Sequence, residues 1–166
     1  MQHKVQIQTL YTPDQRRRRD ASSWTMVQGI LAPLQFLVFL VSLGLIVWSM
    51  RTGEGMFAAQ VSVIVKTFLL YTIMVTGSIW EREVFGVYLF AKPFFWEDVF
   101  SMLVLALHTW YLAAYLLGRQ PELTLWIALA AYAAYVVNAA QFLWKLRLAR
   151  KQGGQLAAAP AMEAAR

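Results

Sequence analysis

Lys66, Glu97, Asp98, His108, Asn138 and Gln141 stand inside stretches of sequence that are otherwise apolar. Their types support a small set of reactions. A carboxyl group shielded from water is a competent general acid. A neutral imidazole takes a proton from water or binds a Mg²⁺ ion through its free nitrogen. Amides orient a water molecule. Residues seven or eleven apart on a helix lie within about 20° of one face. Glu97 and His108 are eleven apart, with Ser101 between them on the same side. Gln28, Gln35 and Ser42 recur every seven residues. Asn138, Gln141 and Lys145 share a face at i, i+3 and i+7, and Ser62, Lys66 and Gly77 do likewise. Four such stripes imply one shared polar interior. Cys is absent and the histidines are His3 and His108, so thiolate chemistry and a di-iron oxygenase site are excluded, and no metal-ligand spacing recurs.

Each group also has a plain structural reading. Ser, Asn and Gln hydrogen-bond across helix interfaces in membranes, each worth about 0.6 kcal/mol on average. Glu97 and Asp98 open their helix, where acids suit the positive end of the dipole. Lys66 can pair with an acid for stability or reach the interface from a tilted helix. His108 has no helix end to account for it, and an ionisable residue at that depth is by default a functional candidate.

The elements that carry these residues are four apolar stretches, roughly Met26–Trp48, Phe57–Trp80, Phe94–Leu117 and Leu123–Trp144. Each has the ~20 residues a helix needs to cross a bilayer. The chain of 166 residues is 59% hydrophobic and 14% charged, whereas soluble domains carry about 25% charged residues. The sequence therefore predicts an all-α membrane protein, a four-transmembrane-helix bundle. A nucleotide-binding fold has no room and no Gly-rich phosphate loop. The net charge of +6 does not indicate nucleic acid, because the basic residues cluster at helix ends, where topology and anionic lipid explain them.

Arg16–Arg19 precede the first stretch, Arg82 and Lys92 lie in the middle connection, and Lys145, Arg147, Arg150 and Lys151 follow the last. By the positive-inside bias, both termini and the middle loop face the cytoplasm. The first stretch is too long for a signal-peptide core and reads as an uncleaved signal anchor. Thr52–Gly55 and Gly118–Pro121 are turns, and Glu81–Pro93 is the middle loop. Pro33 should kink the first helix or open its backbone. Trp24, Trp48, Trp80, Trp96, Trp126 and Trp144 crowd the helix ends as an interfacial belt, with a minority free to line a pocket for a flat ligand. The chain divides into a polar basic segment (1–22), the four-helix domain (23–150) and an Ala/Gly-rich tail (151–166) expected to be disordered.

Longer strings add a resemblance. YTPDQRRRRDAS (Tyr11–Ser22), VQGILAPLQFLVFLVSLGL (Val27–Leu45), VKTFLLYTIMVTGSIWEREVFG (Val65–Gly86), FFWEDVFSMLVLALHT (Phe94–Thr109) and NAAQFLWKLRLAR (Asn138–Arg150) resemble the 3-vinyl bacteriochlorophyllide hydratase family of bacteriochlorophyll synthesis. The resemblance covers about Tyr11–Arg150. It implies a hydro-lyase that adds water across the ring-A vinyl group of a chlorophyllide to give a 1-hydroxyethyl substituent. It implies no redox cofactor and no metal beyond the Mg²⁺ of the pigment. The implied location is a bacterial inner membrane, with the lipid bilayer, other bacteriochlorophyll-synthesis enzymes and a second copy of the chain as expected partners.

The resemblance supplies no residue roles, so these rest on chemistry. Glu97 or Asp98 is the candidate acid toward the terminal vinyl carbon. The other carboxyl, with His108, would activate or position water, and Gln28, Asn138 and Gln141 would hold that water or the pigment carbonyls. Lys66, Arg82 or Arg147 would receive the pigment propionate, and Phe94, Phe95, Trp96 and Trp144 would stack on the ring. Two readings compete: a pigment carrier or assembly factor using His108 as an axial Mg²⁺ ligand, and a small proton-coupled transporter with Lys66 and Glu97/Asp98 as relay.

Overall fold

The computed structural model describes residues 10–163, with side chains described for 10–151. Five helices follow one another. A short α1 (Pro13–Ala21) leads into α2 (Ser23–Thr52), α3 (Met56–Phe85), α4 (Phe95–Leu116) and α5 (Pro121–Glu163). Four of them, α2, α3, α4 and α5 as far as Lys151, are long and apolar enough to cross a membrane. The protein is a multi-pass membrane protein, as its composition predicts.

Local chemistry sets the boundaries. Thr12 caps α1 in a capping box: its Oγ1 accepts from the Gln15 amide, and Gln15 Oε1 accepts from the Thr12 amide. Ser22 ends α1 and caps α2, accepting from the Trp24 amide at 3.2 Å. α2 is continuous through Pro33. It stops at Gly53, in the left-handed region (φ 74°), as α3 stops at Gly86 (φ 85°). Between α2 and α3, Gly55 (φ 68°) passes so close to the Trp48 indole that a Cβ would overlap it.

Two boundaries differ from the sequence reading. The middle loop does not begin at Glu81: α3 runs through Glu81, Arg82 and Glu83 to Phe85. Hydropathy falls there because the helix leaves its apolar stretch, and the helix itself ends only where Gly86 supplies the cap. At the other end, α5 continues helical to Glu163, where a disordered tail is expected to start at 151. Its alanines have high helix propensity.

α2 packs chiefly on α3 and α4 on α5, and the two hairpins meet through α3–α4 and α2–α5. The shared core includes Phe39, Ile46, Val63, Leu70, Val104, Tyr111 and Tyr132, with Ala128 and Ala131 letting α5 approach closely. Large apolar side chains on the outside, such as Phe57, Trp110 and Trp126, face away from the bundle, as lipid contact requires. A second cluster at one end packs Tyr11 of the α1 leader against Phe85 and Phe94, at 5.7 and 6.3 Å between ring centroids. Thus α1 is tied to the α3–α4 end of the bundle.

Candidate active site

The polar stripes converge as their spacing predicts, but into two separate groups. Gln35, Ser42, Lys66, Glu97, Ser101, His108 and Asn138 are all buried. Glu97 and His108 share one face of α4 yet stand three turns apart, about 16 Å along the axis.

The first group lies in mid-bundle. Lys66 is fully buried and donates to Gln35 Oε1. Its ammonium sits 3.7 Å from the centroid of the Tyr135 ring, a cation–π contact. Among the described residues no acid pairs with Lys66. His108 Nδ1 lies 2.8 Å from the Val104 carbonyl oxygen. A carbonyl cannot donate, so Nδ1 carries the hydrogen. Nε2 is buried and without a hydrogen-bond partner. The His108 ring stacks on Tyr132 at 5.8 Å, and the Tyr132 hydroxyl donates to Ser42 Oγ at 2.6 Å.

The second group lies at the end of the bundle where α3, α4 and α5 meet the α3–α4 connection. Glu97 and Asp98 occupy the first turn of α4, and both are buried. Asp98 Oδ2 accepts from the Phe90 amide at 2.8 Å. Glu81, from the last turns of α3, accepts from the next amide, Ala91, at 3.2 Å. The two carboxyls are thus held by adjacent amides of one connection. Glu97 turns the other way, toward α5. Its Oε1 is 3.4 Å from Lys145 Nζ, which also donates to the Pro93 carbonyl. Glu97 Oε2 is buried with no hydrogen-bond partner. Asn138 donates to Ser101 Oγ at 2.9 Å and leaves its own Oδ1 unpartnered, as Gln141 leaves Oε1.

An open groove of about 480 Å³ runs beside this group, lined by Glu97, Val136, Val137, Ala140, Gln141 and Trp144. It presents an apolar wall and an aromatic edge around a carboxyl and an amide. That combination suits a flat, largely apolar ligand with a reactive edge. Phe94, stacked with Phe142 at 6.2 Å, backs the site.

The structure therefore brings Glu97, Asp98, Asn138 and Gln141 to one end of the bundle. Lys66 and His108 form the mid-bundle group instead. Gln28 belongs to neither: its amide donates to Thr76 Oγ1 at 2.7 Å on the α2–α3 seam. Trp96 points outward, 66% exposed, as a belt residue. Trp80 points in, with its indole N–H donating to Thr25 Oγ1 at 2.9 Å. Glu81 is the residue that the sequence reading assigned to a loop. Its signal is position: it lies four residues after Gly77, continuing the Lys66 face of α3. Lys145 was identified as a stripe member and topology marker, and it is the partner of Glu97. Among the described residues no group of three or more His, Cys, Asp or Glu side chains could hold a metal ion.

Known proteins match this chain over nearly its whole described length. The family model for 2-vinyl bacteriochlorophyllide hydratase covers residues 11–148. A protein of Cereibacter sphaeroides named 2-vinyl bacteriochlorophyllide hydratase is 68% identical over 141 residues, 85% of this chain and 88% of the relative. One of the same name from Rhodobacter capsulatus is 64% identical over 143 residues, 86% of this chain and 84% of the relative. No solved structure matches the chain. The 2-vinyl and 3-vinyl wordings denote the same family. With its four spanning helices and the matched region taking in Glu81, Glu97 and Asp98, the chain belongs to the 2-vinyl bacteriochlorophyllide hydratase family.

Proposed function

We propose that this protein is a hydro-lyase of bacteriochlorophyll biosynthesis that adds water to the ring-A vinyl group of a (bacterio)chlorophyllide, giving the 1-hydroxyethyl product. The observation that carries the reading is the pair of relatives of that name, aligned over most of both chains. The site chemistry agrees with it. Protonation of the terminal vinyl carbon leaves a cation on the inner carbon, which the conjugated macrocycle spreads. Water then adds to the inner carbon and loses a proton. The reaction needs a carboxyl that can give a proton, a group that can take one and an apolar surface for the ring. Buried Glu97 on the groove wall and its neighbour Asp98 would supply the first two, and Val136, Val137 and Trp144 the third.

Asn138 and Gln141 are placed to hold the water through their unpartnered oxygens. His108 and Lys66 would act at a distance from this end, by orienting the macrocycle or its propionate. The bare Nε2 of His108 is the atom available for that task. No cofactor is proposed beyond the Mg²⁺ carried in the pigment. The proposed setting is a bacterial inner membrane with both termini cytoplasmic, where the basic α1 and the α5 end meet anionic lipid. Other bacteriochlorophyll-synthesis enzymes and a second copy of the chain are the partners this setting suggests.

The test is incubation of membranes containing the protein with 3-vinyl chlorophyllide, followed by pigment chromatography with mass detection. The expected outcome is a more polar pigment heavier by one water. Unchanged pigment from folded protein would overturn the reading and leave the pigment carrier.

A further inference from the structure

Lys145 reaches from α5 to the start of α4, and three groups there hold its ammonium. It donates to the Pro93 carbonyl, pairs with Glu97 Oε1 at 3.4 Å and stands 5.7 Å from the centroid of the Phe94 ring. The side chains of Lys145 and Glu97 are 25% and 6% exposed, so the pair is largely shielded from water. Among the described residues Glu97 is the acid that Lys145 pairs with. The neighbouring acids are held elsewhere: Asp98 accepts from the Phe90 amide and Glu81 from the Ala91 amide. The pairing engages Oε1 of Glu97 and leaves Oε2 buried without a hydrogen-bond partner. A buried oxygen of that kind is costly unless something donates to it. Glu97 lines the groove with Gln141 and Trp144, so the donor it suits is a ligand there. Lys145 is not among the groove's lining residues and can act on a ligand only through Glu97.

We propose that Lys145 is a positioning residue of the hydratase site. By binding Oε1 it holds the Glu97 carboxylate with Oε2 left to accept a hydrogen bond from the water that adds to the vinyl group. This deepens the hydratase reading and rests on it. The ammonium supplies two things that a neutral side chain of similar length lacks. A charge-assisted hydrogen bond at one oxygen fixes the rotamer of the carboxyl. The positive charge also compensates a carboxylate that α4 and α5 shield from water, where an unpaired charge would be strongly disfavoured. Pro93 and Phe94 hold the ammonium in turn, which ties the position of Glu97 to the entry of its own helix. The plain structural alternative is that Lys145 fastens α5 to Pro93 and nothing more. The two differ in one respect: a positioning residue loses its effect once Glu97 is altered, and a fastener does not.

The test is turnover of 3-vinyl chlorophyllide by full-length protein in detergent. K145M should lower kcat by about 100-fold, the cost of a small misplacement at a reacting centre, with pigment affinity within about threefold of wild type. In an E97Q background the same change should cost less than about threefold, because the group through which Lys145 acts is already altered. The chain has no Cys, so K145C can be alkylated at that one position. Alkylation with 2-bromoethylamine rebuilds an ammonium at nearly lysine length and should restore turnover to within about tenfold of wild type. Iodoacetamide adds a neutral amide and should restore none. Equal restoration by both reagents, or none by 2-bromoethylamine, overturns the role of the charge. K145M turnover near that of wild type, or an equal loss in the wild-type and E97Q backgrounds, overturns the proposal. A K145M protein that does not fold makes Lys145 a structural fastener and overturns it as well. Failure of the wild type itself to hydrate pigment defeats the hydratase reading, and this role with it; hydration by wild type and K145M alike defeats only the role.

Discussion

Glu97 shows how much a single side chain can inherit from its neighbours. One carboxyl oxygen meets Lys145, and the other is buried without a partner on the wall of the groove. Replacing it by glutamine keeps the volume and removes the charge that faces Lys145. E97Q is expected to bind pigment and lose turnover by about 100-fold or more, the range attributed to a positioned acid or base. Pigment binding by absorbance and product by chromatography separate the two effects, and full activity in E97Q would remove Glu97 from the mechanism. Lys66 carries a different lesson. The sequence expectation of an acid partner gives way to Gln35 and the face of Tyr135. A buried lysine can be held by an amide and a ring when both lie on the helix faces opposite it, and single-helix periodicity cannot say which neighbour will do so.

At the scale of elements, the connections rather than the helices position the chemistry. The α3–α4 connection supplies the two amides that hold Asp98 and Glu81. Phe90 adopts a left-handed backbone (φ 60°) there, uncommon for a residue with a Cβ. The α2–α3 turn depends on glycine for a different reason. Gly55 combines φ 68° with close contact to the Trp48 ring. G55A should therefore lower stability by about 1–2 kcal/mol from the backbone alone, more if the indole cannot move. Thermal unfolding in detergent would show this as a lower midpoint, with an unchanged midpoint arguing against the turn geometry. The four spans were legible because twenty apolar residues have few other uses. The extension of α3 to Phe85 was not, because charged residues at a helix end look like loop when hydropathy is the guide, although they are good helix formers.

For the whole molecule, the two hairpins are held by a core into which the polar stripes turn, while Phe57, Trp110, Trp126 and other large apolar side chains face out. The proposed orientation in the bilayer rests on the charge pattern. The chain lacks Cys, so single cysteines can report on it without a background. E54C in the α2–α3 turn and R119C between α4 and α5 should label with an impermeant maleimide in intact cells. Y88C in the α3–α4 connection should label only after the membrane is opened. The reverse pattern would invert the proposed topology and place the carboxyl group at the outer face.

Periodicity and composition by themselves determined the class, the number of spans and the faces on which Glu97, Ser101, His108, Asn138 and Lys66 are buried, because a residue's angle around a helix is a local property. Longer strings such as Tyr11–Ser22 carried the family. Only the tertiary structure decided which stripes meet. It moved Gln28 to a seam and Trp96 to the outside, gave Lys66 to Gln35 and Tyr135, and held Glu81 and Asp98 on adjacent amides of one connection. Those pairings depend on the register between helices and on the path of a loop, and both are set by packing between residues remote in sequence.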